Sequence, residues 1–316
     1  MKILCIGEAL IDMICTDTGS SLADGEHFLK KPGGAPTNVA AAIAALGGEV
    51  LLAAKVGDDP FGQHLIDTMK DFGVSTSLII KDKEHFTTFA FVSLMHDGER
   101  DFFFNRGADG QLSETDLAGI DLKEFSILHF GSATAFLPGP LQKVYRSLLQ
   151  NAIDKNIFIS FDPNYRSLLW QTNSDLFIEQ SWYFIEHCHF FKMSEEEAII
   201  ITGCDSLSDA VAALCDKSKS TFAITLGKKG TLLVHEKNSI TVSSIPVEAI
   251  DSTGAGDAFV GAVLYQLSNF SLEKIDAMST NDWKKIVANA NKAGARTCEY
   301  IGAMEAFRHL SASIFE

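Results

Sequence analysis

The stretch Asp251-Ser252-Thr253-Gly254-Ala255-Gly256-Asp257-Ala258-Phe259 joins a run of small residues to an aspartate at the mouth of an expected helix. Small residues let several backbone N–H groups converge on one point, and a helix N-terminus adds partial positive charge there. Gly254, Ala255 and Gly256, ahead of a helix expected to begin at or beside Asp257, form a candidate anion cradle. Asp257 is then placed to take a proton from a hydroxyl that attacks the bound anion. Phosphoryl transfer asks for little beyond positioning, charge neutralisation and such a base. Taken alone, the same residues also read as a Gly-rich turn with Asp257 as an ordinary N-cap.

A second group, Gly33-Gly34-Ala35-Pro36-Thr37-Asn38, precedes an Ala-rich helical pattern. Paired glycines let backbone approach a ligand closely, and the Asn38 amide both donates and accepts. Asp12, just past the first strand-like run, falls near it at the carboxyl ends of the sheet, where open α/β folds bind ligands. A carboxylate plus an amide suits a polyol; the alternative is a plain loop with Asn38 at a helix start. There is no GxGxxG and no acidic residue at the matching spacing, which disfavours a dinucleotide site. His187-Cys188-His189 sets two imidazoles on one face of an expected strand, and without a third ligand it reads as structural. Phe86, Phe89, Phe91, Phe102, Phe103 and Phe104 crowd one region, and packing is the simpler reading for each. Lys228 and Lys229 fall in an expected turn and read as solvated.

These residues need elements to hold them. KILCIGE (2–8), EVLLAAKVG (49–57), FSILHFG (125–131), IFISFDPN (157–164), HFFKMS (189–194) and TFAITLG (221–227) are strand-like runs. Between them, APTNVAAAIAALG (35–47), DPFGQHLIDTMKDFG (59–73) and GPLQKVYRSLLQNAIDKN (139–156) carry helical period and helix punctuation. This alternation predicts βαβ units, an α/β fold with a mostly parallel sheet and helices on both faces. TLLVHE and SITVSS suggest a hairpin, the GAGD helix should run to about Ser268, and a last long helix spans roughly 280–299. TTFAFVSLM (87–95) and ERDFFFN (99–105) flank a His-Asp-Gly turn signal, and MICT (13–16) can pair with HFLKK (27–31). These four strands predict a small sheet grafted onto the body, a lid built from about 13–32 and 85–107. No linker or repeat divides the chain, so one domain over 1–316 is expected.

Composition narrows the class. The 316 residues carry 26 Lys and Arg against 41 Asp and Glu, a net charge of −15, which argues against nucleic-acid or anionic-membrane surfaces. One local pocket can still oppose that sign and take an anionic ligand. Six cysteines without CxxC or regular spacing fit reduced, mostly buried thiols. The opening MKILCIGEALIDM has a single Lys, an apolar run broken by Glu8 and Asp12, and no small-residue cleavage site, unlike a signal peptide. Val39 to Val56, the most apolar long stretch, is interrupted by Gly47, Gly48, Glu49 and Lys55 and fails as a membrane span. A soluble cytoplasmic protein is expected.

In order along nearly the whole chain, GEALID (7–12), PGGAPTNVA (32–40), KVGDDPFG (55–62), DPNYR (162–166), SEEE (194–197), TLGKKG (225–230), DSTGAGDAF (251–259) and ANKAG…GA (290–303) resemble the motifs of the ribokinase-like (pfkB-type) carbohydrate kinases, most closely the fructokinases. The resemblance implies a three-layer ribokinase-like sandwich and ATP-dependent phosphorylation of a sugar, D-fructose to fructose 6-phosphate. It implies Asp257 as base, with Gly254, Ala255 and Gly256 as the N–H anion hole. Asp12, Gly33, Gly34 and Asn38 would bind sugar hydroxyls, and Arg166 would reach toward phosphates or substrate. Thr225, Gly227 and Gly230 would line the nucleotide site, and Asn291 would flank the adenine. Asp251 and Thr253, with carbonyls near Gly302, resemble a monovalent-cation (potassium) site, and the inserted strands resemble a substrate lid. An NxxE motif of the family reads Ser194-Glu195-Glu196-Glu197 here, leaving Glu197 the magnesium-linked role. Arg106, in FFFNRGAD, aligns ambiguously and meets either substrate or solvent. Other expectations are ATP, magnesium and a sugar as small-molecule partners, no nucleic acid or membrane, and a homodimer through the lid. The competing readings are a 2-keto-3-deoxygluconate or other ketose kinase, and a catalytically silent sugar-binding relative; the intact GAGD argues against the silent one.

Overall fold

The computed structural model describes residues 1–95 and 100–316. The first apolar run forms β1 (Lys2–Ile6), whose side chains alternate between two cores. Ile3 and Cys5 face one set of helices while Leu4 and Ile6 face the other, the pattern of a strand buried on both sides. The chain continues through β2 (Leu10–Cys15), β3 (Phe28–Gly33), α1 (Ala35–Ala45), β4 (Val50–Gly57) and α2 (Pro60–Phe72). Local chemistry sets the bounds of α2. The Asp59 side chain accepts from the N–H groups of Phe61 and Gly62, Pro60 opens the helix, and Gly73 closes it at φ 87°. Next come β5 (Ile79–Asp82), β6 (Phe89–Leu94), β7 (Arg100–Asn105), β8 (Phe125–Phe130), α3 (Pro140–Asp154) and β9 (Phe158–Phe161). The remainder is α4 (Ser167–Trp170), α5 (Ser174–Ile185), β10 (Phe190–Ser194), α6 (Glu195–Thr202), α7 (Leu207–Lys217), β11 (Thr221–Thr225), β12 (Thr231–His235), β13 (Asn238–Val242), α8 (Ala255–Leu267), α9 (Leu272–Asp276), α10 (Thr280–Thr297) and α11 (Ala303–Phe307).

The large sheet has the order β13-β12-β11-β10-β9-β8-β1-β4-β5. Its neighbours are parallel except where β12 pairs antiparallel with β11 and β13. The chain leaves β1 toward β4 on one side and later fills the other side from β8 onward. β1 is therefore the switch point, and the crevice beyond its carboxyl end is where such sheets bind ligands. The second sheet, β3-β2-β6-β7, grows out of that crevice. Phe28, Phe89, Phe91 and Phe103 pack along one of its faces, and Phe89 meets Phe61 of α2 at 4.9 Å, which ties the small sheet to the body. Asp12, Lys31, Ala90 and Phe104 pair across the strands and share the opposite face.

The α/β body, its mostly parallel sheet with helices on both faces and the four-stranded small sheet match the expectation. The differences have physical causes. β5 is four residues at the sheet edge, too short for a period. In α6 the run Ile199-Ile200-Ile201 favours a strand by propensity, yet a reciprocal capping box between Ser194 and Glu197 starts a helix. His187, Cys188 and His189 lie in the turn between α5 and β10, not on a strand. His187 Nδ1 donates to the Tyr183 carbonyl, whereas His189 Nδ1 accepts from the Ile159 N–H. Only Cys5 and Cys188 are buried; the other four thiols are half-buried, and all six are free. Phe86 and Phe103 are exposed. The expected His-Asp-Gly turn lies outside the described residues. No single helix among those described is long and apolar enough to cross a membrane.

Candidate active site

α8 begins at Ala255, so Gly256 and Asp257 sit inside its first turn rather than ahead of it. Its N-cap, Gly254, holds φ 80°, and a Cβ there would stand 3.0 Å from the Ala303 Cα. The Ala255 N–H bonds the Ser252 carbonyl, while those of Gly256 and Asp257 find no protein acceptor among the described residues. These are the free donors that an anion cradle needs. Asp257 is only 7% exposed, and burial pushes its pKa up against the Asn38 hydrogen bond and the charges of Lys192 and Arg166. A carboxylate so raised is a better base than an exposed one.

Asn38 Nδ2 donates to Asp257 Oδ2 at 2.8 Å. That contact joins the start of α1 to the start of α8 across 219 residues of sequence. Asn38 Oδ1 is buried and finds no hydrogen-bond partner among the described residues. An unpartnered buried acceptor is costly unless a ligand completes it. A hydroxyl donating to Asn38 Oδ1 would lie beside the Asp257 carboxylate.

The paired glycines are required sterically. A Cβ on Gly33 would run into the Asp12 carboxylate, and one on Gly34, held at φ 104°, would strike the Glu8 carbonyl. Burial pushes the Asp12 pKa up to about 6, with Arg166 pulling it down. Arg166 itself is exposed and donates to the Tyr165 carbonyl and Asn164 Oδ1. Its charge favours the ionised forms of both Asp12 and Asp257. Because the Asp12 pKa is raised, its carboxylate form is lost as pH falls through about 6. If the carboxylate accepts substrate hydroxyls, sugar KM should rise about tenfold from about pH 7 to about pH 5. Asp12→Asn should raise KM and flatten that profile. An unchanged profile would remove Asp12 from the sugar site.

On the other flank, Thr225 ends β11, Gly227 takes φ 58°, and Gly230 at φ 100° lies hard against the 242–244 backbone. Lys228 and Lys229 are exposed in the intervening turn. Asn291 is buried: its amide donates to the Val242 and Ser243 carbonyls and accepts from Thr231 Oγ1. It therefore fixes the exit of β13 rather than offering free polar atoms. Asp251 Oδ1 accepts from the Thr253 N–H and hydroxyl, and Oδ2 from the Gly302 N–H at 2.8 Å. The loops bearing Asp251, Thr253 and Gly302 thus meet beside the start of α8. Glu197 Oε1 accepts from the Tyr165 N–H and Oε2 from the Ser194 N–H. Those commitments fit a hydrated magnesium ion held at one remove through its waters. Among the described residues no three His, Cys, Asp or Glu side chains gather as a ready metal cage. The Arg106 guanidinium meets the Pro138 and Thr134 carbonyls and lies 3.6 Å from Asp109, so the protein itself occupies it.

Four site residues escaped the sequence reading. Glu8 is buried and accepts from the Ala35 and Ala133 N–H groups and the Ser132 hydroxyl, holding the glycine loop to the loop after β8. Asp109 accepts from Thr88 and Thr134 and anchors the base of the small sheet. Lys192 and Asp162 form a buried ion pair at 3.0 Å beneath Gly256. A lysine inside the strand-like run HFFKMS was the one available signal for the last pair.

A switch-point crevice with a buried aspartate, an adjoining amide and free helix N–H groups defines a phosphotransferase of the α/β class. The chain belongs to the pfkB family of carbohydrate kinases, whose description matches residues 1–309, and it is a sugar kinase. Fructokinase-1 of Zea mays is 35% identical over 310 residues, spanning 96% of this chain and 93% of that protein. Fructokinase of Xylella fastidiosa with bound ATP superposes with TM-score 0.86 at 28% identity, covering 99% of this chain and 96% of that one. A double mutant of Vibrio cholerae O395 fructokinase holding fructose, ADP and potassium ion gives TM-score 0.84 at 30% identity, covering 99% and 96%.

Proposed function

We propose that the chain is an ATP-dependent fructokinase converting D-fructose to fructose 6-phosphate. The observation that carries this reading is the orphaned Asn38 Oδ1 beside the buried Asp257. In the proposed complex the terminal hydroxyl of the sugar donates to Asp257 while a second sugar hydroxyl donates to Asn38 Oδ1, and Asp257 takes the terminal hydroxyl's proton as its oxygen attacks the γ-phosphorus. The free N–H groups of Gly256 and Asp257 receive the charge spread over the transferring phosphoryl oxygens. Asp12 accepts from further sugar hydroxyls, and Arg166 opposes triphosphate charge from the crevice rim. The nucleotide lies along Thr225, Gly227 and Gly230, against the β13 exit that Asn291 fixes. Magnesium near Glu197 would supply charge neutralisation, and a monovalent cation at Asp251, Thr253 and Gly302 would steady the loop that presents the donors. The small sheet closes over the sugar as a lid and keeps water from the triphosphate. Its exposed Ile14, Leu29 and Leu94 share one side, where we place a second copy of the chain; sedimentation as a monomer would remove that part. The free thiols fit a reducing, cytoplasmic setting.

Fructose is favoured because an acidic sugar would need a dedicated cation, and the lid arginine Arg106 is already held by protein carbonyls and Asp109. At saturating Mg-ATP, kcat/KM for fructose should exceed that for 2-keto-3-deoxygluconate and for ribose by at least about tenfold, some 1.4 kcal/mol of transition-state binding. A higher value for either competitor would overturn the fructose assignment and leave the kinase standing. Equal rates in potassium and in tetramethylammonium at matched ionic strength would remove the cation site.

A further inference from the structure

Glu8 lies in the crossing from β1 to β2 and is buried, with both carboxylate oxygens engaged. Oε1 accepts from the N–H groups of Ala35 at 3.1 Å and Ala133 at 3.3 Å, and Oε2 from the Ser132 hydroxyl. The Glu8 carbonyl accepts from the Thr37 hydroxyl at 2.9 Å. Ala35 and Thr37 belong to the first turn of α1, whose N-cap Gly34 has no side chain to cap it. Glu8 supplies that cap from another loop, and its negative charge suits a helix N-terminus. The same turn aims the next residue, Asn38, at Asp257.

Ser132 dictates what position 8 must be. Its Oγ accepts from the N–H groups of Thr134 and Ala135, so its lone pairs are filled and its one proton must be given away. Its partner has to be an acceptor, and so does the oxygen that faces Ala35 and Ala133. An amide has one accepting and one donating end and fails in either orientation; a carboxylate satisfies both sides. Beyond Ser132, the Thr134 hydroxyl donates to Asp109 Oδ2 at 2.8 Å and the Thr88 hydroxyl to Asp109 Oδ1. Thr88 Oγ1 in turn accepts from the Gly107 N–H at 2.8 Å. All five side chains, from Glu8 to Thr88, are buried. The chain of bonds thus reaches every crossing between the body and the small sheet: 7–9 before β2, 34–35 after β3, 87–88 before β6 and 106–109 after β7.

We propose that Glu8 is a positioning residue for Asn38, and that the buried chain from Glu8 to Thr88 fixes the small sheet and the first turn of α1 to one another, so that Asp12 and Asn38 grip the sugar together. This rests on the kinase reading, in which Asp12 of the small sheet and Asn38 of the body both take sugar hydroxyls. Glu8 itself touches neither sugar nor nucleotide. Breaking the chain lets the two halves of the sugar site shift apart, while the nucleotide flank at Thr225, Gly227 and Gly230 lies outside it.

The competing account is that the chain only stabilises the fold. Glu8→Gln would then lower the melting temperature and leave the kinetics of the folded protein unchanged. The proposal predicts that Glu8→Gln raises the KM of the parent's best sugar at least about tenfold, with the KM of ATP within about twofold. Thr88→Val keeps the shape at the far end of the chain, removes its hydroxyl and should raise sugar KM at least about fivefold. Two breaks in one chain should not multiply, so the double variant should stay within about twofold of the worse single one. Ser132→Ala cuts the chain with Glu8 in place and carries the same expectation, should Glu8→Gln fail to fold. Assays at about pH 8.5 keep Glu8 ionised, since burial pushes its pKa up to about 7. A folded Glu8→Gln or Ser132→Ala protein whose sugar KM rises less than about fivefold overturns the proposal, and so does a double variant whose KM is the product of the singles. In either case the parent's sugar-dependent ADP release keeps the kinase reading intact. A parent that releases no ADP with any sugar takes both down together.

Discussion

Asp257→Asn should lower turnover by at least about a hundredfold while leaving sugar KM nearly unchanged. The substitution keeps the shape and the acceptor that Asn38 Nδ2 engages at 2.8 Å, so the link between α1 and α8 survives. What it loses is the capacity to take the hydroxyl proton. Its charge is also removed from a buried position, which favours the folded state rather than opposing it. Stability should therefore hold, and steady-state kinetics on the folded variant report the base alone. A variant with more than about a tenth of parental kcat would show that another group accepts the proton.

Gly254→Ala should be the next most damaging change. Gly254 sits at φ 80°, where a residue with a Cβ loses about 1 to 2 kcal/mol. The added carbon would also press on Ala303, which opens α11 just after the Gly302 loop. The start of α8 must move to relieve this, and it carries the free N–H groups of Gly256 and Asp257. Displacing one such donor typically costs about a hundredfold or more in turnover. We expect kcat to fall by at least about tenfold, with a melting-temperature loss of only a few degrees. A folded Gly254→Ala protein at full activity would mean that these N–H groups do not serve the transferring group.

The fold was legible where period and punctuation agreed. Pro60 and Gly73 bracket α2, and GAGD opens α8 within two residues of its expected start. The α6 helix was hidden because three consecutive isoleucines speak for a strand, and only the Ser194–Glu197 capping box settles it. The site divides in a similar way. Asp257, Asn38, Asp12 and the glycines belong to compact motifs whose residue types announce their chemistry. Glu8, Asp109, Asp162 and Lys192 work through partners up to 125 residues away, as in the bond from the Ala133 N–H to Glu8, and single positions carry no trace of such pairings. The partners of Asn291, the Val242 and Ser243 carbonyls and the Thr231 hydroxyl, were equally unannounced by its motif.

The central claim is that this crevice moves a phosphoryl group from ATP to the terminal hydroxyl of fructose. Phosphorus NMR of a reaction containing the purified chain, fructose and Mg-ATP tests it most directly. The account predicts ADP and fructose 6-phosphate appearing in equal amounts, in proportion to enzyme. Phosphate released without a sugar phosphate, or no ADP above the sugar-free control, would contradict it.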